Sequence, residues 1–290
     1  MAIDRYAPPM MPGVSGQPLP PAARTPRTDA RWLDLRVRAD NAARAVTAGT
    51  LLPRLVNYLA RRGAASTGVE VIDLGSGTGA NQRWLAPRLP FRQRWLLIDQ
   101  DQALQHHQPA APRTRLMTAD VGILASVLYR QDSVQLVTCS ALLDVLTRDQ
   151  LDALSSLLLA AQQPALFSLT VTGAMELSPA NPLDSHLVGA FNDHQRRGGR
   201  AGPDAAKILT ASLRATGCMF STTETPWVLD QHNNFEFVRR FLTDRVVAAI
   251  AQNPNLDSDG AAWLQLRLAQ LAENALEISV EHRDLLVLPH

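Results

Sequence analysis

The sequence has few of the residues that indicate disulfides, metal sites or nucleic-acid binding. Its two cysteines, Cys139 and Cys218, lie in apolar runs, with no C-x-x-C spacing and no nearby histidine cluster. Buried free thiols account for them, and no metal site is expected. Lys207 is the only lysine, and 28 basic against 27 acidic residues give a formal net charge of +1. Such a balance disfavours nucleic acid and acidic membrane surfaces as partners.

Long apolar runs are also missing, so the sequence predicts no membrane association. Residues 1–28 contain seven prolines and nothing that resembles the apolar core of a signal peptide. They predict a disordered Pro-rich tail, because they cannot bury enough apolar surface to offset the entropy of ordering. Free thiols and the missing signal peptide together predict a cytoplasmic location. With 46% hydrophobic residues overall, the remaining residues 29–290 can form one large globular domain.

The most informative stretch is a short apolar run that enters a glycine-rich turn. Val69–Leu74 has the pattern of a strand covered on both faces. Gly75, Gly77 and Gly79 follow it, and a helix is predicted from about Ala80 to Leu89. Glycine lets backbone N–H groups approach a ligand closely, and the N-terminus of the helix points at the same place. The stretch therefore predicts a site for a nucleotide-like cofactor.

The glycine spacing alone leaves two classes of cofactor open. Gly75, Gly77 and Ala80 also satisfy the G-x-G-x-x-G/A pattern of dinucleotide-binding proteins, so a nicotinamide oxidoreductase is an alternative. Asp73 separates the two, because a carboxylate two residues before the first glycine would repel a pyrophosphate and suits a cationic ligand. The sequence also offers no convincing Tyr-x-x-x-Lys pair for an oxidoreductase, since Lys207 lies far from the expected site.

The run Asp73-x-Gly75-x-Gly77-x-Gly79 resembles the first motif of the S-adenosylmethionine (AdoMet)-dependent methyltransferases with a Rossmann-like fold. The resemblance implies AdoMet as the cofactor, with Asp73 at its methionine part and the three glycines in close backbone contact. It also implies an α/β fold in which a doubly wound, mainly parallel seven-stranded sheet carries helices on both faces. The activity that it implies is methyl transfer by direct displacement.

Two further acids follow predicted strands and extend the resemblance. Arg94–Asp99 and Arg115–Asp120 each have the pattern of a strand that ends in an acid. At the position of Asp99, a carboxylate accepts hydrogen bonds from ribose hydroxyls. In the family, the third acid faces the adenine amino group and the next apolar residue lies against the ring, which implies these roles for Asp120 and Val121. Taken alone, either acid is as well explained as a helix cap.

Polar residues in the N-terminal helical extension, residues 29–65, leave two interpretations open. Arg36, Asp40 and Arg44 recur at i, i+4 and i+8 on a helix predicted from Asp29 to about Ala48. They form either a solvated ladder of ion pairs or a face that covers the cofactor cleft. In the second case, the resemblance implies that Arg36 or Arg44 meets the methionine carboxylate.

The segment after the fourth predicted strand, Ser133–Cys139, lies where the family places a motif close to the transferable methyl. Ser140 is therefore a candidate cofactor contact. The segment Ser140–Leu146 has neither the Asn/Asp-Pro-Pro-Tyr/Phe pattern of amino-group methylation nor a Pro-Cys nucleophile. A small-molecule acceptor is therefore expected. A nucleic-acid or protein methyltransferase and a non-catalytic AdoMet-binding protein remain as alternatives.

Two later segments each have more than one interpretation. Residues Thr172–Pro203 predict a long polar loop at the carboxyl end of a strand, where a substrate would bind. His194 in this loop is a candidate base, with a surface or helix-capping histidine as the simpler interpretation. Residues 230–280 predict a two-helix insert before the last strand, Asp284–Leu288. Core packing, a lid over the acceptor and a homodimer surface are all open for this insert.

Overall fold

The computed structural model describes residues 29–108, 113–128, 134–230, 232 and 235–289. The predicted Pro-rich tail, residues 1–28, lies outside the described residues. Within the described ranges, none of the helices is both long enough and apolar enough to pass through a membrane.

One sheet of eight strands lies at the centre of the fold. Its order is β3-β2-β1-β4-β5-β8-β6, and β7 pairs with β8 beside this path. The strands are β1 (Val69–Leu74), β2 (Gln93–Asp99), β3 (Thr114–Thr118), β4 (Val134–Ser140), β5 (Ala165–Ser178), β6 (Phe220–Glu224), β7 (Trp227–Leu229) and β8 (Glu277–Val287). Strands β1 to β5 pair in parallel, whereas β8 runs antiparallel to its three neighbours. The predicted Rossmann-like, mainly parallel sheet is confirmed, with a short eighth strand added.

Helices follow most of the strands and cover both faces of the sheet. They are α1 (Ala30–Ala43), α2 (Ala45–Gly49), α3 (Leu51–Arg61), α4 (Ala64–Thr67), α5 (Ala80–Leu85), α6 (Gln102–Gln105), α7 (Leu124–Val127), α8 (Arg148–Ala161), α9 (Asp184–Gln195), α10 (Ala205–Ala215), α11 (Phe235–Gln252) and α12 (Asp257–Ala272). In β1, Val69 and Val71 pack with α3 and α5, whereas Ile72 and Leu74 join the cluster formed with α7, α8 and α10. This alternation is the two-sided burial expected of a central parallel strand.

The N-terminal helix differs from the sequence prediction. Asp29 caps α1 by accepting a hydrogen bond from the backbone N–H of Trp32 at 2.8 Å, as predicted. The predicted single helix to about Ala48 is nevertheless interrupted at Arg44, and α2 starts anew at Ala45. Arg44 is only 2% exposed, because its guanidinium donates a hydrogen bond to a buried side chain. Of the two interpretations of Arg36, Asp40 and Arg44, the solvated ladder of ion pairs is therefore wrong.

The predicted loop 172–203 is also wrong in structure, because most of it is regular. Strand β5 continues to Ser178, where its outer half pairs with β8 through Met175–Val280 and Leu177–Ile278. Helix α9 then follows from Asp184. Its buried contacts come from α11, which lies far along the chain. No local apolar pattern therefore predicts helix α9.

The outer halves of β5 and β8 carry a third apolar cluster beyond the main core. Helices α9, α11 and α12 pack against it and contribute Leu187, Phe237, Phe241 and Trp263. The last strand therefore starts at Glu277, seven residues before the predicted start at Asp284. The predicted two-helix insert thus packs with the outer halves of β5 and β8 in one hydrophobic cluster.

Gly68→Ala is expected to lower the free energy of unfolding by about 2 kcal/mol or more. Gly68 has φ +81° and ψ −176°, a conformation open almost only to glycine, and an added Cβ would lie 2.7 Å from the carbonyl oxygen of Arg92. Chemical denaturation measures the change. Gly49→Ala is the control, since nothing lies within 4 Å of its added Cβ, and it should be neutral or stabilising by up to about 1 kcal/mol. Equal effects of the two substitutions would contradict the prediction.

Candidate functional site

A cleft of about 890 Å³ opens where β1, β2 and β4 end at their carboxyl termini. The strand order reverses between β1 and β4, and ligands of doubly wound sheets bind at this switch point. Seven of the candidate cofactor contacts predicted from the sequence line the cleft: Arg36, Gly75, Gly77, Asp99, Asp120, Val121 and Ser140. Gly79, Asp73 and His194 are not among its lining residues.

The glycine turn brings bare backbone to the floor of the cleft. Gly75 and Gly77 have φ of +61° and +52°, in the left-handed region that favours glycine. A Cβ on Gly75 would lie 2.7 Å from a methyl carbon of Leu142, and one on Gly77 would lie 3.1 Å from a methyl carbon of Leu33. Gly79, with φ +80°, is the last residue of the turn and immediately precedes α5. The turn therefore depends on glycine for both its conformation and its close approach to the cleft.

Asp99 fixes the turn while it faces the cleft. One of its carboxylate oxygens accepts the backbone N–H of Gly77 at 2.7 Å, and the other accepts that of Asp101 at 2.8 Å. The residue is 8% exposed, and burial raises the pKa of the Asp99 carboxyl above its usual value. Each carboxylate oxygen accepts more than one hydrogen bond, so the side chain can hold the turn and still meet a ligand.

Asp120 lies two residues beyond the end of β3 and lines the cleft beside Val121. Its Oδ1 accepts the backbone N–H of Gly122 at 2.9 Å, so it also caps the short 3₁₀ turn Val121–Ile123. The capping and cleft-facing interpretations of the sequence thus coexist in one residue. Ser140 ends β4 and lines the opposite wall.

Asp73, at the end of β1, is not among the residues that line the cleft. Its side chain is fully buried, and its Oδ1 accepts a hydrogen bond from Asn81 at 2.6 Å. Burial raises the pKa of Asp73 to about 7, against the opposing effects of the Asn81 hydrogen bond and the charge of Arg44. The contact of Asp73 with the methionine part of a cofactor stays a prediction. In this structure Asp73 joins the end of β1 to the start of α5, on the two sides of the glycine turn, through Asn81.

The partner residues of Asp73 were missed by the sequence analysis. Asn81 also accepts a hydrogen bond from Nη2 of Arg44 at 2.6 Å, and the Arg44 guanidinium lies 3.8 Å from the ring centre of Trp84. Asn81 follows Gly79 by two residues, at the start of α5. An amide at this position is the only local signal that could have indicated the contact.

Arg36 lies at the cleft wall, on the first helix. It forms an ion pair with Asp40 at 2.9 Å, and its guanidinium lies 5.1 Å from the ring centre of Trp227. The indole N–H of Trp227 also donates to Asp40 at 3.1 Å. The side chains of Arg36 and Asp40 are 13% and 14% exposed, so α1 turns this pair towards the cleft.

His194 lies in the last turn of α9 and is partly buried. Burial, Arg197 and Arg200 lower the pKa of its imidazole. Because the structure does not place it at the cleft, its role as a base stays a prediction without geometric support. Asp144, which follows β4, is closer to the candidate site: its neighbours Leu142 and Val145 line the cleft, and burial raises the pKa of its carboxyl.

The charge of the cleft is predominantly negative. Its described lining contains four aspartates and one arginine, namely Asp40, Asp99, Asp101, Asp120 and Arg36. Such a lining attracts a cationic ligand and repels phosphate. Across the described residues, no group of three or more His, Cys, Asp and Glu is arranged to hold a metal ion.

Comparison with known proteins gave distant similarities to solved structures. No protein-family model and no curated protein matches the chain. The cyclopropane synthase MmaA2 from Mycobacterium tuberculosis is 12% identical, with a TM-score of 0.44 over 81% of this chain and 82% of that one. An S-adenosylhomocysteine complex of a SAM-dependent methyltransferase from Thiobacillus denitrificans is 16% identical, with a TM-score of 0.39 over 81% and 90% of the two chains. These similarities are too distant to assign a function.

Asp73→Asn is expected to flatten the pH dependence of stability. Because the folded pKa of Asp73 is raised from 3.8 to about 7, the folded state holds a proton that the unfolded state has lost. The contribution of the protonated Asp73 carboxyl to the free energy of unfolding is fully present below about pH 4. It declines by roughly 1.4 kcal/mol per pH unit until about pH 7.

Urea denaturation of both proteins between pH 4 and 8 measures this difference. The stability of the wild type relative to Asp73→Asn should fall across that window. Parallel curves for the two proteins would show that the Asp73 carboxyl titrates normally.

Proposed function

We propose that the protein is an AdoMet-dependent methyltransferase that acts on a small-molecule acceptor. The observation that carries the proposal is the cleft itself, where bare glycine backbone and a mostly acidic lining meet at the switch point of the sheet. AdoMet carries an ammonium and a sulfonium and no phosphate, so this lining suits it. The same carboxylates disfavour the pyrophosphate of a nicotinamide dinucleotide.

The residues around the cleft fit the parts of AdoMet. Asp99 at the end of β2 retains acceptor capacity for the ribose hydroxyls. Asp120 and Val121, which line the cleft after β3, are the residues that we expect to meet the adenine amino group and ring. Gly75 and Gly77 leave room for close approach to the backbone. Arg36 offers a guanidinium for the methionine carboxylate, provided that it shares or exchanges its partner Asp40.

Bound AdoMet would supply a methyl group already activated by its sulfonium. The protein then has to orient an acceptor in line with the methyl group and keep water away. Trp32 and Leu33 from α1, with Leu142 and Val145 after β4, give the cleft an apolar wall suited to that task. Direct displacement requires no covalent residue. The proposal does not use His194, which lies outside the cleft lining.

Isothermal titration calorimetry with AdoMet, S-adenosylhomocysteine and NAD⁺ tests the cofactor. Binding of the first two without NAD⁺ is expected. NAD⁺ binding alone would refute the proposal and favour the oxidoreductase alternative. A transfer assay with radiolabelled methyl AdoMet against a metabolite mixture tests catalysis, and binding without any turnover would leave a non-catalytic AdoMet-binding protein.

Asp99→Asn is expected to weaken AdoMet binding at least tenfold. The substitution keeps the shape of the side chain and removes its charge, and a hydrogen bond to a charged group contributes roughly 1.5–3 kcal/mol. Calorimetry measures the affinity, with circular dichroism to verify the fold. Glu273→Gln, an exposed acid after α12, is the control and should bind AdoMet like the wild type. Unchanged affinity in Asp99→Asn would remove Asp99 from the site.

A further inference from the structure

A second, smaller cavity lies beyond the cofactor cleft, in the part of the fold added to the basic sheet. It encloses about 20 Å³ between the outer half of β5, the inner face of α9 and helices α11 and α12. Most of its lining is apolar, from residues such as Met175, Phe191 and Val246. Its polar side chains are Asn192, Gln195 and Arg245. The volume is that of one or two water molecules, which matches a small polar head group.

Arg245 is the unusual residue of this cavity. It is half-buried, and its guanidinium lies 3.8 Å from the ring centre of Phe241 and 4.4 Å from that of Phe191. Among the described residues, no carboxylate forms a salt bridge with it and no group accepts a hydrogen bond from it. Asp244, its neighbour in sequence, pairs with Arg240 instead. A guanidinium so close to a ring centre lies flat against it, which leaves the N–H groups at its edge free to donate.

Arg267, a fully buried arginine in the same region, shows what a purely structural guanidinium looks like here. Arg267 of α12 is fully buried and donates to the carbonyl oxygen of Pro179, to Asp184 and to Gln270. Burying a charge without such partners is costly. Contact with aromatic rings offsets only part of that cost. Arg245 therefore lacks the partners that the fold gives to Arg267.

Ring contacts link Arg245 to the wall of the cofactor cleft. Arg245 lies over Phe241, the ring centre of Phe241 is 6.0 Å from that of Trp227, and Arg36 of the cleft lies over Trp227.

Burial and the nearby charge of Arg36, which lines the cleft, lower the pKa of Arg245 to about 9, whereas Asp244 and Asp144 raise it. Arg245 therefore stays charged at neutral pH. His282 is buried nearby, and burial with the charges of Arg36 and Arg245 lowers its pKa to about 3, so it is neutral. The region thus presents positive charge beside the part of the cleft wall that contains Arg36.

We infer that Arg245 binds a carboxylate of the acceptor substrate, with Gln195 as a second donor. This inference rests on the proposed methyltransferase function and names the class of its acceptor: a small organic acid whose carboxylate enters the cavity. The rest of the molecule would extend from there towards Arg36 and the cleft. A planar carboxylate matches the edge of a guanidinium through two parallel hydrogen bonds.

Matched pairs of probes test the inference in the presence of saturating S-adenosylhomocysteine. Benzoate is compared with benzamide, and hexanoate with hexanamide, by calorimetry or by saturation-transfer NMR. The wild type should bind each carboxylate at least tenfold more tightly than its amide. Arg245→Gln should lose this preference, and Arg245→Lys should recover part of it because the charge returns. Arg239→Gln, an exposed arginine of the same helix, is the control and should keep the preference.

Two results would overturn the inference: a wild type that does not prefer the carboxylates, or an Arg245→Gln variant that keeps the preference. Circular dichroism and S-adenosylhomocysteine binding show whether Arg245→Gln is folded, and Arg245→Lys supplies a second variant if it is not. Failure of the proposed function looks different, because it appears as absent AdoMet binding by the wild type. A carboxylate preference abolished by Arg245→Gln could still be measured without the cofactor.

Discussion

The amide of Asn81 holds the candidate site together. It donates to Asp73 at the end of β1 and accepts from Arg44 between α1 and α2, both at 2.6 Å. One side chain thus joins the strand before the glycine turn, the helix after it and the N-terminal helices. A second buried contact, from Thr47 to Asp284 at 2.6 Å, ties the same helices to β8. These contacts determine where α1 lies and, with it, the wall of the cleft.

Such buried polar groups stabilise the fold only when each has a partner. Arg44 is shielded by Trp84 and by its hydrogen bond to Asn81, yet its Nε has no partner among the described groups. One oxygen of Asp73 is in the same position. Asn81 links Arg44 to Asp73, and the charge of Arg44 opposes the burial that raises the pKa of the Asp73 carboxyl.

Sequence patterns were sufficient for the inner sheet. β1 was predicted to the residue, because a continuous apolar run that ends at a glycine is a local signal. The destination of Asp73 could not be predicted in the same way. An acid at a strand end faces either the ligand or the neighbouring helix, and the choice depends on Asn81, eight residues later. Helix α9 was missed because its apolar partners come from α11 and α12.

The long outer halves of β5 and β8 carry their own apolar cluster, separate from the two that cover the inner sheet. Two of the walls of the smaller cavity come from these outer halves, whereas the larger cleft is lined from the glycine turn after β1 and from the ends of β2, β3 and β4. Substitutions in α9 or α11 can change the shape of the smaller cavity while the glycine turn and the neighbouring acids stay in place. The shape of the smaller cavity can therefore diverge between related sequences while the residues of the glycine turn stay the same.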